Sequence, residues 1–230
     1  MASLKEILNS YLNKIPGIRE YCDKVLKSDR WGGSALMMVI DASFTSTGLN
    51  YFNSILPRAL EFKEKFVDAG KIKGLRDLAG ADIDNLRAVW KNERSWNVAK
   101  EIAFYLSSIN REDREALRLW AKSAVLEKWR EDLIGRMKGM GIVTFQYLRM
   151  MGGVDTIVPD RVVKRFLNET LYKSGEIAEI NTKRDIEFVR EAERIAISYG
   201  YRPIELTWTA WLAQFGEDKI KKYTELLLQF

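Results

Sequence analysis

"RMKGMGIVTFQYLRMMGGVDTIVPDRVVKRFL", residues 136–167, decides how this chain is read. Gly139 and Gly141 stand one residue apart between apolar stretches of helical spacing, and a lone acid, Asp160, follows Val158-Pro159 about twenty positions later. Glycine at both positions opens backbone angles closed to other residues, so two helices can be joined by a very short turn. Such a turn leaves the first N–H groups of the second helix without partners, which makes it a ready anion site. Asp160 precedes Val162, Val163, Phe166 and Leu167, whose spacing describes one buried helical face, so its carboxylate is expected to cap that helix.

Apolar residues recur at three and four spacing almost throughout, as in Leu4, Ile7, Leu8, Tyr11, Leu12 and in Leu86, Val89, Trp90. The spacing predicts an all-α protein of roughly ten helices joined by short connections. One of them is expected to end near Arg136 and another to run from about Ile142 to Met151. The one β-flavoured run, Val154 to Val158, is too short to build a sheet.

The 230 residues are 47% hydrophobic and 30% charged with four prolines, the balance of a folded globular protein. A net charge of +5 suits an anionic partner. The single cysteine, Cys22, excludes a disulfide framework and a four-cysteine zinc or iron–sulfur site. The absence of histidine removes histidine-based catalysis and the common transition-metal sites. The N-terminus lacks a signal-peptide pattern and no apolar run is long enough to span a membrane, so a cytoplasmic, nucleoid-associated protein of prokaryote-like type is expected.

The order of Gly139-Met140-Gly141, Thr144 three residues on, an apolar helix, Gly152-Gly153 and Val158-Pro159-Asp160 resembles the helix–hairpin–helix, Gly/Pro-rich loop and catalytic aspartate of the HhH-GPD superfamily of DNA glycosylases. Within it, the chain looks closest to the endonuclease III and MutY-like branch. "ALMMVIDASFTSTGLNYF" resembles the family's first barrel helix and DNA-facing loop, "LRAVWKNERSWNVAKEIAFYL" the helix pair before the hairpin, and "YGYRPIELTWTAWLAQFG" the closing helix. The resemblance implies a two-lobed all-α fold, with a helical barrel over 31–153 that carries the hairpin near 137–144, and a second helical domain from 1–30 plus 154–230. It implies a base-excision-repair enzyme that hydrolyses the N-glycosidic bond of a damaged or mismatched base in double-stranded DNA, acting as a monomer.

Asp160 is then the catalytic residue, its carboxylate stabilising the oxocarbenium-like state and orienting water. Gly139, Gly141, Thr144, Lys138 and Lys164 are the expected phosphate contacts. Phe44 and Ser43 would fill the gap left by the extruded base, and Trp31 would line the base pocket. Lys122, Lys128, Arg130, Arg136 and Arg149 extend the basic rim, whereas Trp90, Trp120 and Trp129 read as core. Asp155 is a rival carboxylate with no helix start directly behind it.

Departures from the family pattern refine this. Val143 stands where bifunctional members carry a lysine, so a monofunctional, water-using enzyme is expected. Phe145 replaces a small residue, which bears on how closely the hairpin helices pack. The iron–sulfur loop has no counterpart, so no cofactor is required and no metal ligand is assigned, although a monovalent cation on the hairpin carbonyls is implied. The alternatives are a non-catalytic helix–hairpin–helix DNA-binding protein, a bifunctional glycosylase/lyase using a displaced lysine, and a helical protein-interaction domain.

Overall fold

The computed structural model describes residues 2–230, and among these the chain is all-helical, without a strand. In order the helices are α1 (Leu4–Asn13), α2 (Ile18–Leu26), α3 (Ala35–Thr45), α4 (Leu56–Phe62), α5 (Leu75–Gly80), α6 (Ile83–Leu86), α7 (Glu93–Ile109), α8 (Asp113–Ser123), α9 (Ile142–Met151), α10 (Arg161–Ser174), α11 (Asp185–Ser198), α12 (Pro203–Ala213) and α13 (Glu217–Gln229). The chain divides into two compact units, one of Lys27–Val154 and one of the residues up to Leu26 together with Asp155–Phe230. No described helix is long and apolar enough to cross a membrane.

The first unit is built around α3. Its sequence, ALMMVIDASFT, is apolar on nearly every face, and every residue from Ala35 to Phe44 is buried, as expected for a helix surrounded by others. Helices α7, α9, α4 and α8 pack around it. Asp41 is the one charged residue on α3 and is fully buried. A buried carboxylate must be paired to persist, and Arg30, itself 1% exposed, binds it through Nε at 2.9 Å and Nη2 at 2.9 Å. Trp31 Nε1 at 2.9 Å, the Tyr51 hydroxyl at 3.1 Å and the Tyr147 hydroxyl at 3.3 Å donate to the same oxygen. Burial pushes both tyrosine hydroxyls up, which keeps them protonated as donors.

The second unit repeats the plan around α12, in which every residue from Pro203 to Leu212 is buried. Pro203 suits the first helical position, where its missing N–H costs nothing. Glu205 is 4% exposed, and its carboxylate accepts the Arg202 N–H at 3.1 Å and the Arg202 guanidinium at 3.0 and 3.1 Å. Helices α10, α2, α11, α1 and α13 contact α12, and Trp208 meets Tyr21 and Trp211 edge-on.

One expected element is absent. No helix ends near Arg136; α8 stops at Ser123, and residues 124–141 form a short 3-10 turn over Leu126–Lys128 followed by consecutive tight turns. Asp132 is the local cause. Its Oδ1 accepts Ile134 N–H at 2.8 Å and Gly135 N–H at 3.3 Å, and Trp120 Nε1 donates to the same carboxylate. A short acidic side chain that bonds the following backbone offers an alternative to the helical ladder. Phe145 fills the adjoining space, edge-on to Trp120 at 5.5 Å and tilted against Trp129 at 6.0 Å, where a small residue would have let a second helix approach.

Asp41→Ala leaves the Arg30 guanidinium buried and uncompensated, and should lower unfolding stability in urea by about 3–5 kcal/mol. A loss below about 1 kcal/mol would show that the pair does not organise this unit.

Candidate functional site

Two local structures hold the residues on which the sequence reading turned, and each lies within one unit. The first is the turn before α9. Gly139 adopts φ +102°, a backbone region that L side chains rarely enter, and a Cβ there would lie 2.8 Å from Arg94 Nε and 3.1 Å from Val98 Cγ2. Gly141 is the N-cap residue of α9 with extended backbone, and no side chain caps that helix. The N–H groups of its first turn are therefore the unpaired donors of an ordinary helix start. Lys138, three residues before Gly141, is exposed, and so are Lys122, Lys128, Arg130 and Arg136, whereas Arg149 turns to Gln146 Oε1 at 2.6 Å.

Arg94 was not apparent from the sequence as part of this turn. Its guanidinium donates to the Gly139 carbonyl at 3.1 Å and fixes the turn from α7. That guanidinium occupies one acceptor direction of the Gly139 carbonyl, one of the hairpin carbonyls on which the resemblance implies a monovalent cation. Among the described residues, no cluster of three or more Cys, Asp or Glu side chains could hold a metal ion.

The second structure is Asp160. Residues 154–160 have no regular secondary structure, and Val158 N–H donates to Thr207 Oγ1 at 3.2 Å, tying the segment to α12. Asp160 caps α10, with Oδ1 accepting the Val163 N–H at 2.8 Å. Oδ2 accepts Trp211 Nε1 at 2.5 Å. Each carboxylate oxygen thus has a fixed donor from a different helix, and the side chain has little rotational freedom. Burial pushes its carboxyl above the ordinary value, against the Val163 and Trp211 hydrogen bonds and the Lys164 charge, which pull it down. Trp211 is the positioning partner that sequence reading missed; it lies fifty-one residues downstream of Asp160 and reads as core.

The rival Asp155 does have a helix start behind it, though a distant one. Its Oδ1 accepts the Ile204 N–H of α12 at 2.9 Å, a structural cap. Lys164 is not a phosphate contact waiting on the surface: it donates to the Thr182 carbonyl at 2.7 Å and is ion-paired with Asp185, its ammonium over the Phe188 ring.

Four further expectations are corrected by burial. Thr144 is 1% exposed, and its hydroxyl lies 3.2 Å from that of Thr45 inside the unit. Phe44 is fully buried, stacked on Trp90 at 5.0 Å and edge-on to Trp96 at 5.0 Å, so it cannot be a wedge. Ser43, beside it in sequence, is fully buried as well. Trp31 spends its indole N–H on Asp41, its ring lies under the Arg30 guanidinium at 5.2 Å, and no face is left for a base. Trp90 and Trp120 are core, as expected, while Trp129 is half-buried in the turn segment.

Replacing Gly139 by alanine combines backbone strain with a clash against Arg94, and should destabilise the protein by about 1–3 kcal/mol. Gly141→Ala, at φ −119° with open space around the new Cβ, should stay within about 0.5 kcal/mol. Equal effects in paired urea titrations would contradict the geometry of the turn. Asp160 gives a pH test. Because its folded-state value is raised, the folded protein holds this proton more tightly than the unfolded chain, and the group favours folding most at low pH. That contribution is lost as pH rises from the ordinary carboxylate value through the raised one. Thermal midpoints of wild type relative to Asp160→Asn should therefore fall with rising pH across that window, and a constant difference would contradict the raised value.

Comparison with known proteins adds the following. The fold is similar to that of the 8-oxoguanine DNA glycosylase of Thermotoga maritima, with a TM-score of 0.53 and 16% sequence identity over 91% of this chain and 96% of that one. No curated protein matches the chain. A family model described as a domain of unknown function (DUF8548) matches residues 97–215, from within α7 past the end of α12. This match spans just over half of the chain, and the protein belongs to that family.

Proposed function

We propose that the protein is a DNA glycosylase that hydrolyses the N-glycosidic bond of a damaged or mismatched base in double-stranded DNA. The observation that carries this reading is Asp160, a carboxylate immobilised at the start of α10 by Val163 N–H and Trp211 Nε1 in a chain whose fold is similar to a DNA glycosylase. Cleaving that bond builds positive charge on the deoxyribose, and a fixed, partly desolvated carboxylate stabilises such charge better than water can. The same oxygen that accepts from Trp211 has a second lone-pair direction with which to orient an attacking water. Backbone phosphates would be held by the free N–H groups at the start of α9 and by Lys138, contacts that ignore sequence.

The reaction proposed is monofunctional. Val143 offers no amine on the first turn of α9, and the lysine nearest Asp160 in sequence, Lys164, is engaged with Asp185 and Thr182. Without an amine nucleophile no Schiff base forms, and water is the acceptor of the sugar.

The test is incubation with duplexes that each carry one lesion, split between a hot-alkali quench and a neutral quench. Strand breaks are expected after alkali only, for at least one lesion, with Asp160→Asn lowering their rate by about a hundredfold or more while duplex binding persists. Breaks in the neutral quench would contradict the water-using route. Salt-sensitive binding with no breaks on any lesion would overturn the enzyme and leave a DNA-recognition protein.

A further inference from the structure

The turn before α9 is gripped from outside. Residues 137–141 contain two glycines, and a glycine has more backbone freedom to lose than any other residue. Met140 N–H donates to the Met137 carbonyl at 3.0 Å and Phe145 N–H to the Gly141 carbonyl at 2.9 Å. Neither bond uses the carbonyl of Gly139, which sits between them at φ +102°.

An exposed arginine is ordinarily a mobile, solvated charge. Arg94 is exposed and carries no carboxylate partner among the described residues, its neighbour Glu93 being paired with Arg87. Even so, its side chain is held. Nη2 donates to the Gly139 carbonyl at 3.1 Å, and a Cβ on Gly139 would lie 2.8 Å from Nε and 3.0 Å from Cγ, so the arginine runs across the bare face of the glycine. The missing Cβ makes room for the stem, and the carbonyl fixes the fork.

The base of this arm is anchored as well. Arg94 and Ser95 stand in the first turn of α7, and Ser95 Oγ lies 3.3 Å from Ser46 Oγ. Thr144 Oγ1, in the first turn of α9, lies 3.2 Å from Thr45 Oγ1. The starts of α7 and α9 are thus both tied to the end of α3, and the Arg94 bond joins α7 to the turn that leads into α9. A single exposed hydrogen bond adds little to global stability. Its effect is to remove alternative shapes of a glycine-rich turn, which matters to a group that must meet its ligand already formed.

We propose that Arg94 is the positioning residue of the phosphate-binding turn: its bond to the Gly139 carbonyl keeps the turn in one shape before DNA arrives, so the start of α9 accepts a phosphate without reorganising. This rests on the glycosylase reading above and adds the residue that pre-forms its phosphate contact.

Arg94→Met keeps the stem and removes the fork and the charge, whereas Arg94→Lys keeps the stem and the charge and removes the fork. For each, amide exchange of Met140 should be followed in the free protein, and affinity for an undamaged duplex measured across a salt series. Arg94→Met is expected to speed Met140 exchange, leave the urea midpoint unchanged and weaken duplex binding about tenfold. Arg94→Lys should keep the wild-type salt dependence and still bind more weakly than wild type, in step with how much faster Met140 exchanges. If Arg94→Lys recovers wild-type affinity while Met140 still exchanges fast, charge alone acts and the positioning role is overturned. Unchanged affinity in Arg94→Met overturns it as well and leaves the glycosylase reading standing. If wild type binds no duplex at any salt concentration, the DNA reading falls and this inference with it.

Discussion

A buried ion pair governs the first unit of this protein. Arg30 and Asp41 lie at 1% and 0% exposure, and the pair is affordable only because Trp31, Tyr51 and Tyr147 complete the shell around one carboxylate oxygen. Their geometry fixes the rotation of α3 about its own axis, since Asp41 must face those donors. Once α3 is fixed, the apolar residues on its remaining faces set where α7 and α9 pack. In the second unit Glu205 is held by Arg202, the N-cap residue of its own helix α12, and the same guanidinium is ion-paired with Asp23 on α2. Hydrophobic burial stabilises both central helices, while the Arg30–Asp41 pair selects one orientation of α3.

Orientation matters for the chemistry as well, because the proposed catalytic carboxylate has no rigidity of its own. Asp160 sits at the end of a segment without regular secondary structure, which by itself would leave it mobile. Three contacts remove that freedom: Val158 on Thr207, Val163 N–H on Oδ1 and Trp211 on Oδ2. Two of them come from α12, so the orientation of that helix is transmitted directly to the carboxylate. A group poised in this way needs little reorganisation when charge develops in front of it.

Sequence periodicity made the all-α class, helix α9 and the capping role of Asp160 legible, because each depends on residues close together in the chain. The hairpin's first helix was not legible in that way. Residues 126–136 carry enough apolar positions for a helix, and the competing bonds of Asp132 become visible only once Trp120 is placed beside it. Phe44 shows the complementary failure: its place in a resemblance suggested exposure, but "ALMMVIDASF" is apolar on nearly every face and could only be a central helix. The isolated Asp41 in that run was itself a sign of a buried pair, with Arg30 eleven residues earlier as its partner. Arg94 on Gly139 and Trp211 on Asp160 join residues far apart in sequence, and no local pattern announces them.

The central claim is that Asp160 stabilises positive charge on the sugar, and it is tested most directly by comparing affinity for two abasic duplexes. One carries a cationic pyrrolidine ring in place of the deoxyribose and the other a neutral tetrahydrofuran ring. Wild type should prefer the cationic ring by a factor on the order of a hundred, and Asp160→Asn should bind both alike. A preference of the same size in Asp160→Asn, or none in wild type, would show that this carboxylate does not face the reacting sugar.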